Sequence, residues 1–424
     1  MNTQIRAVKG TRDFYPEQMA YRNWLYSKIR EVSEKFGYQE WEAPFLETLE
    51  LYAAKSGEEL VKEQAYAFQD RGGEQIALRP ELTPSLARMV ALRQKQLPLP
   101  IRWWSFGPFW RYERPQKGRT REFFQWNIDL LGVDSPQADA EIAAVGAEFF
   151  RAVGLSPDEV KVQVNSRRLV EQELEKLGIP AEGRVRAFRL IDRREKMSRD
   201  KWAEYAVELG IAGAQQIGIE RLLEDRDLWR QSSELVTFFE VLEALGVADY
   251  VEYDSSIVRG LDYYTGIVYE ARERVEEGRA IFGGGRYDDL VGDVGGDPLT
   301  GVGFAMGDVV LTLALEKYGR SPALSPAPAQ VLVTVFDEKQ LVESIVLARE
   351  LRSQGFKVES YPQAAKLQKQ LKYADTLGIP LVAIVGPEEA AQGEVTVKDL
   401  ATGQQIRVPR RELASRLTER LHRP

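Results

Sequence analysis

A chain of 424 residues, 44% of them hydrophobic, is longer than single cores usually grow, so two or more domains with real apolar interiors are expected. Cysteine is absent and His422 is the single histidine, which excludes disulfides, thiolate metal sites, cysteine nucleophiles and histidine-based triads within one chain. The net charge of −8 argues against indiscriminate nucleic-acid binding but permits local basic patches, and any chemistry must come from Arg, Glu, Asp and Tyr.

In chain order, Tyr21, Leu25, Ile29, Val32 and Phe36 recur near the helical period from Pro16 onward, and Gly37 supplies a stop. Extended, aromatic-rich segments follow at Tyr38 to Phe45, Ala65 to Phe68, Gln75 to Leu78 and Ile101 to Trp110, with a helix between Pro84 and Arg93. From about Ser156 to Leu245 the pattern is charged and helical, broken at Gly178, Gly210 and Gly246, and reads as a helical insertion in one sheet. Strand-like sequence returns at Ile257 to Arg272 and Thr300 to Met306. Residues 321–328 are rich in Pro, Ser and Ala and read as a linker between a domain over 1–320 and another over 329–424. In the latter, strands at Gln330 to Phe336, Phe356 to Ser360 and Leu381 to Val385 alternate with helix faces at Leu341 to Leu351 and Leu367 to Leu377. A hairpin, Glu394 to Val397 and Gln405 to Val408, follows, so a small α/β domain is expected. No apolar run approaches the roughly 20 residues that span a bilayer, no signal-peptide core is evident, and a soluble cytoplasmic protein is expected.

Four segments carry candidate chemistry. Arg111 to Gln125 sets guanidinium groups beside aromatic rings on two predicted antiparallel strands and their loop; guanidinium forks suit phosphate and a Phe face suits a purine, although a solvated basic hairpin fits the same residues. Arg79 to Pro84 places Glu81 and Thr83 before a helix, as ammonium acceptors or, more simply, with Thr83 as the helix cap and Pro84 at the first position. Arg259 to Gly266 joins an arginine, a carboxylate and paired tyrosines, and could equally be a surface strand. Gly283 to Asp289 has neither P-loop nor dinucleotide-binding spacing and reads alone as a flexible turn. His422, in a basic tail with Arg407, Arg410, Arg411, Arg416, Arg420 and Arg423, reads as a frayed end; the tail is either a solvated amphipathic helix or an RNA contact.

Together these segments resemble the class II histidyl-tRNA synthetases over essentially the whole chain. Val8 to Asp13 is similar to the family's N-terminal signature, Arg111 to Gln125 to class II motif 2, and Arg259 to Glu270 and Gly283 to Leu290 to its two histidine-specific signatures. The resemblance implies an α+β, antiparallel-sheet class II catalytic domain with a helical insertion, a C-terminal α/β anticodon-binding domain and a homodimer. The implied reaction joins histidine to ATP as histidyl-adenylate, then transfers the histidyl group to the 3′ end of histidine tRNA, with Mg2+ accompanying ATP and no protein-bound metal. By resemblance Arg259 and Arg111 are catalytic at the α-phosphate, and Arg111, Glu113, Arg119, Arg121, Phe123 and Arg259 bind ATP. Glu81, Thr83, Gln125, Asp129, Tyr263 and Tyr264 bind histidine, and Arg114 and Gln116 reach the tRNA acceptor end. Some family members carry Glu where Asp129 stands.

One departure stands out. The usual motif 3 ends in Gly-x-Glu-Arg, whose arginine holds the γ-phosphate, but here Gly307 is followed by Asp308, Val309 and Val310. Either another arginine such as Arg121 or Arg286 substitutes, or ATP is held less tightly. The same departure suits a non-catalytic paralogue that serves as a regulatory subunit of ATP phosphoribosyltransferase, whereas the retained arginines, Glu81 and the C-terminal domain favour the synthetase. The Asp262-Tyr263-Tyr264 run argues against a synthetase for glycine, proline or threonine.

Overall fold

The computed structural model describes residues 5–53, 63–114, 116, 118–211, 213–258, 264–275, 278–324 and 327–421, apart from the side chain of residue 195. Arg259, Tyr263 and His422 lie outside the described residues. The chain divides into two compact units, one running to Asp13 and from Asn23 to Pro322, the other taking Phe14–Arg22 and the chain from Ala323.

The first unit contains β1 (Gln39–Glu40), β2 (Leu46–Thr48), β3 (Tyr66–Gln69), β4 (Gln75–Leu78), β5 (Ile101–Trp110) and β6 (Glu122–Leu131). After these come β7 (Val160–Ser166), β8 (Val251–Tyr253), β9 (Tyr264–Glu273), β10 (Ala280–Tyr287) and β11 (Gly301–Gly307). Eight of them form one sheet in the order β1-β5-β6-β11-β10-β9-β7-β8, antiparallel from β5 through β7 with a parallel strand at each edge. A small antiparallel sheet, β2-β4-β3, leads to the helix Thr83–Arg93.

The central sheet has two unlike faces because β6 alternates. Phe124, Trp126, Ile128 and Leu130 are buried. The helix Pro136–Ala152 packs on that side, where Trp126 meets Phe149 at 5.1 Å and Phe282 stacks on Phe304 at 4.5 Å. Each buried aromatic contributes about 2–3 kcal/mol. Gly146 admits the close approach: a Cβ there would lie 2.7 Å from Phe282. On the other face Phe123, Gln125, Asn127 and Asp129 point into a cavity.

Gly283 to Asp289 corrects the expectation of a flexible turn. Residues 280–287 are β10, in the middle of the sheet. A Cβ on Gly284 would stand 2.2 Å from the Gly303 carbonyl, and one on Gly285 2.8 Å from that of Ile267, so glycine here serves close strand packing. The block from Ser156 likewise opens with a strand, β7, which joins the sheet before the helices Arg167–Lys176, Ala181–Asp192, Arg199–Glu208, Ala214–Glu224 and Ser233–Ala244.

The second unit has β12 (Val331–Val333), β13 (Val358–Ser360), β14 (Leu381–Ile384), β15 (Glu394–Asp399) and β16 (Gln405–Pro409) in the order β13-β12-β14-β15-β16. The first three are parallel, joined through the helices Leu341–Ser353 and Leu367–Thr376, and the hairpin adds antiparallel strands. The tail is less free than its composition suggests. Arg410 pairs with Glu343 and Glu350, Arg407 with Glu388, Arg416 with Glu419 and Arg420 with Asp399.

Candidate active site

The inner sheet face of the first unit carries a cavity of about 400 Å³. Its floor is the polar face of β6 together with Gly283 and Gly284 of β10 and Gly303 of β11; Glu81, just before the helix Thr83–Arg93, and Thr83, at its start, also line it. Leu82 holds the cap position of that helix without a side-chain cap, and Thr83 is the first helical residue. The expected capping role of Thr83 is therefore corrected. An extended backbone at Thr83 would be needed for capping, and the helix begins one residue too early to allow it.

At one end of the cavity, Asp129 is 5% exposed and accepts a 2.7 Å hydrogen bond from the Tyr287 hydroxyl. Burial pushes its carboxyl up to about 7, and the Tyr287 hydroxyl pulls it back only in part. Gly303, opposite in the ladder, makes the room: a Cβ there would lie 2.3 Å from Asp129 Oδ1. Tyr264 and Tyr269 also line this region, and Tyr264 pairs with Tyr287 across the strands. Tyr287 and Gly303 escaped the sequence reading as site residues. Their signal was the polar alternation of β6, which demands a matching space and a matching donor from the neighbouring strands.

The other end is lined by Arg111, Glu113, Gly118, Arg119, Thr120 and Phe123. Arg111 donates from Nε to the Pro80 carbonyl at 2.9 Å, and its guanidinium lies 5.2 Å from the centre of the Phe123 ring. That bond ties the start of the motif 2 hairpin to the Glu81 segment. Arg119 reaches Glu113 at 3.2 Å. Arg114 and Gln116 are exposed on the loop, where Gln116 and Arg119 close a tight turn through two backbone hydrogen bonds. Among the described residues, no group of three or more His, Cys, Asp or Glu side chains is placed to hold a metal ion.

The sequence model of histidyl-tRNA synthetase matches residues 10–308, and that of the anticodon binding domain matches residues 330–420. The chain belongs to the histidyl-tRNA synthetase family. It is 37% identical to the histidine–tRNA ligase of Haloarcula marismortui, covering 95% of each chain. It is 38% identical to the chloroplastic/mitochondrial histidine–tRNA ligase of Arabidopsis thaliana, covering 95% of this chain and 85% of that one. Among solved structures, the histidyl-tRNA synthetase from Nostoc superposes with a TM-score of 0.84 at 27% identity, over 99% of this chain and all of that one.

Within this synthetase fold both arginines that could stand in for the missing motif 3 residue have partners of their own. Arg286 is excluded: its guanidinium is buried, clamps Asp139 at 2.7 Å and donates to Val133, Ser135 and Thr300. Arg121, expected to bind ATP, stacks on Tyr112 at 4.0 Å and donates to the Glu113 carbonyl at 3.1 Å. Backbone groups at 121 and 122 instead bind the Gly10 carbonyl, and Arg12 pairs with Asp308 at 2.9 Å. The N-terminal signature thus braces the outer side of the motif 2 hairpin. A fully buried Arg79 braces the inner side: it pairs with Glu42, donates to the Pro108 carbonyl at 2.9 Å and packs between Phe45 and Phe109.

Proposed function

We infer that this chain is a histidine–tRNA ligase, which activates histidine with ATP and passes the histidyl group to the 3′ end of histidine tRNA. The observation that carries this reading is the polarity of the cavity: a deeply buried carboxyl–hydroxyl pair, Asp129 and Tyr287, at one end, and Arg111 and Arg119 at the other. An imidazole offers one donor and one acceptor, and Asp129 with Tyr264 supplies the complementary pair. Glu81, Thr83 and Gln125, which line the same cavity, would receive the substrate amino group.

A carboxylate oxygen of histidine attacks the α-phosphorus of MgATP, the bond to the β-phosphate oxygen breaks, and pyrophosphate leaves. No protein nucleophile is required. Arg111 neutralises charge on the α-phosphate, Phe123 offers a ring face to adenine, and Glu113 accepts from its amino group once Arg119 has turned to the outer phosphates. Arg259 would approach the α-phosphate from the opposite side. Arg114 and Gln116, exposed on the motif 2 loop, would meet the acceptor end of tRNA, and the second unit the anticodon side. A cytoplasmic homodimer is the working form in this reading.

Histidine-dependent exchange of pyrophosphate into ATP tests it. Exchange is expected with histidine and not with glycine, proline or threonine. Its absence from folded, magnesium-supplied protein would transfer the assignment to the regulatory paralogue. Arg259→Ala should lower the rate of adenylate formation by on the order of 3 kcal/mol in the barrier, and a change in histidine KM alone would refute its transition-state role.

A further inference from the structure

We propose that Arg279 supplies the outer-phosphate cation that motif 3 lacks in this chain, an inference that rests on the synthetase reading of the cavity. The strand register orients the cavity. Tyr287, which holds Asp129, is the last residue of β10, and Ala280 is the first, roughly 23 Å away at the rise of an extended strand. Because Phe282 pairs with Met306, the start of β10 lies beside the end of β11, where Val309 and Val310 line the cavity. Valine offers nothing to a phosphate. Arg279 immediately precedes β10 and so emerges at this same end, at the rim next to Ala280, the first β10 residue that lines the cavity.

Its guanidinium also meets the motif 2 turn. A Cβ on Gly118 would lie 2.7 Å from Arg279 Nη1 and 3.5 Å from its Cζ, so the head group rests against the backbone beside Arg119. Gly118 has φ +80°, a conformation that glycine adopts without strain, and its missing side chain leaves the approach open. Arg279 is exposed, and among the described residues no carboxylate lies within ion-pair distance of it, whereas Arg119 is held by Glu113. The triphosphate of ATP carries up to four negative charges; in this reading Arg111 and Arg259 serve the α-phosphate, which leaves Arg119 to serve both outer phosphates. A second guanidinium beside Arg119 at the mouth would complete the clamp on the β- and γ-phosphates and hold pyrophosphate as it leaves.

The test compares Arg279→Ala, Arg279→Lys and the double variant Arg279→Ala with Val310→Arg against the unaltered protein. MgATP binding by calorimetry and the ATP and histidine KM values in pyrophosphate exchange are the readouts, with histidyl-sulfamoyl-adenosine as a ligand that has no outer phosphates. Arg279→Ala should weaken MgATP binding and raise the ATP KM by about tenfold, leaving histidine KM and analogue binding unchanged. Lysine at 279, or arginine restored at 310, should recover most of the loss. Unchanged ATP binding in Arg279→Ala would overturn the proposal. So would equal weakening of ATP and the analogue, because Arg279 would then only shape the Gly118 turn. If the unaltered protein failed to catalyse exchange, the synthetase reading would fall, while calorimetry with MgATP would still decide the role of Arg279.

Discussion

Two buried carboxylates on opposite faces of one sheet have been given opposite partners. Asp139, in the helix Pro136–Ala152, is gripped by Arg286 of β10 through Nε and Nη2, at 3.1 and 2.7 Å. Burial pushes the Asp139 carboxyl up, the guanidinium draws it back, and the remaining donors of Arg286 are taken by Val133, Ser135 and Thr300. One residue along the same strand, Tyr287 turns to the other face and gives Asp129 a neutral hydroxyl. The first carboxylate is neutralised within the fold and closed to ligands. The second is left short of charge compensation inside an open cavity, which is the condition for binding a substrate that brings its own donor.

The largest effect should come from breaking the closed pair. Arg286→Ala leaves a buried carboxylate, two carbonyls and the Thr300 hydroxyl without their donor, and about 3–5 kcal/mol of stability should be lost. All eight tryptophans lie in the first unit, so their fluorescence in a denaturant titration follows this unit alone. Replacing both partners, Arg286→Met with Asp139→Leu, should recover much of the loss; equal destabilisation would mean that the carbonyl contacts of Arg286 dominate.

Gly284 belongs to the same face of β10 as Arg286. A Cβ placed 2.2 Å from the Gly303 carbonyl must push β11 away, so Gly284→Ala should cost about 3 kcal/mol in the same titration. Tolerance of alanine within experimental error would show that β10 and β11 can separate without penalty, and the contrast between the faces would weaken.

Asp129→Asn should act in the opposite direction. The folded carboxyl is raised to about 7 against an ordinary value near 4, so the contribution of this one group to the stability of the ligand-free protein is greatest below that ordinary value. That contribution is lost as pH rises between the two values, because the unfolded chain gives up its proton first, and the loss is complete above the folded value. Asparagine still accepts from Tyr287 but cannot ionise. At pH 8 the variant should therefore be more stable than the parent, by on the order of 2 kcal/mol, with the advantage vanishing near pH 4, while histidine-dependent exchange collapses. A less stable variant at pH 8 would mean that a cation already holds Asp129 ionised.

Much of this arrangement was legible in the chain. The second unit followed from period alone, because strands of Val, Leu and Ile alternating with helix faces have one way to bury both. In the first unit, the motif residues Glu81, Thr83, Arg111, Glu113, Arg119, Phe123, Gln125, Asp129 and Tyr264 come together around one cavity. What sequence could not reveal was partnership over distance. The fold gives Arg121 a carbonyl partner and Arg286 a carboxylate partner that their neighbours in sequence do not announce, and Tyr287 meets Asp129 across 158 residues of chain. The triple glycine misled for a related reason. Glycine favours turns in isolation, and only the neighbouring strands explain why side chains are excluded from β10.

The smallest expected effect on stability falls one residue from one of the larger ones. Gly283 shares the Tyr287 face of β10, and the nearest atom to a Cβ built there, the Tyr269 carbonyl oxygen, is 3.9 Å away. Gly283→Ala should therefore change stability by no more than about 0.5 kcal/mol. The added methyl would nevertheless stand on the cavity floor, where Gly283 lies with Asn127 and Gln125, and should raise the KM for ATP or histidine in pyrophosphate exchange. A fold indifferent to the methyl and a substrate that is not would separate the two roles of glycine in a single strand. Unchanged KM values would place the substrates away from β10 and require a different path through the cavity.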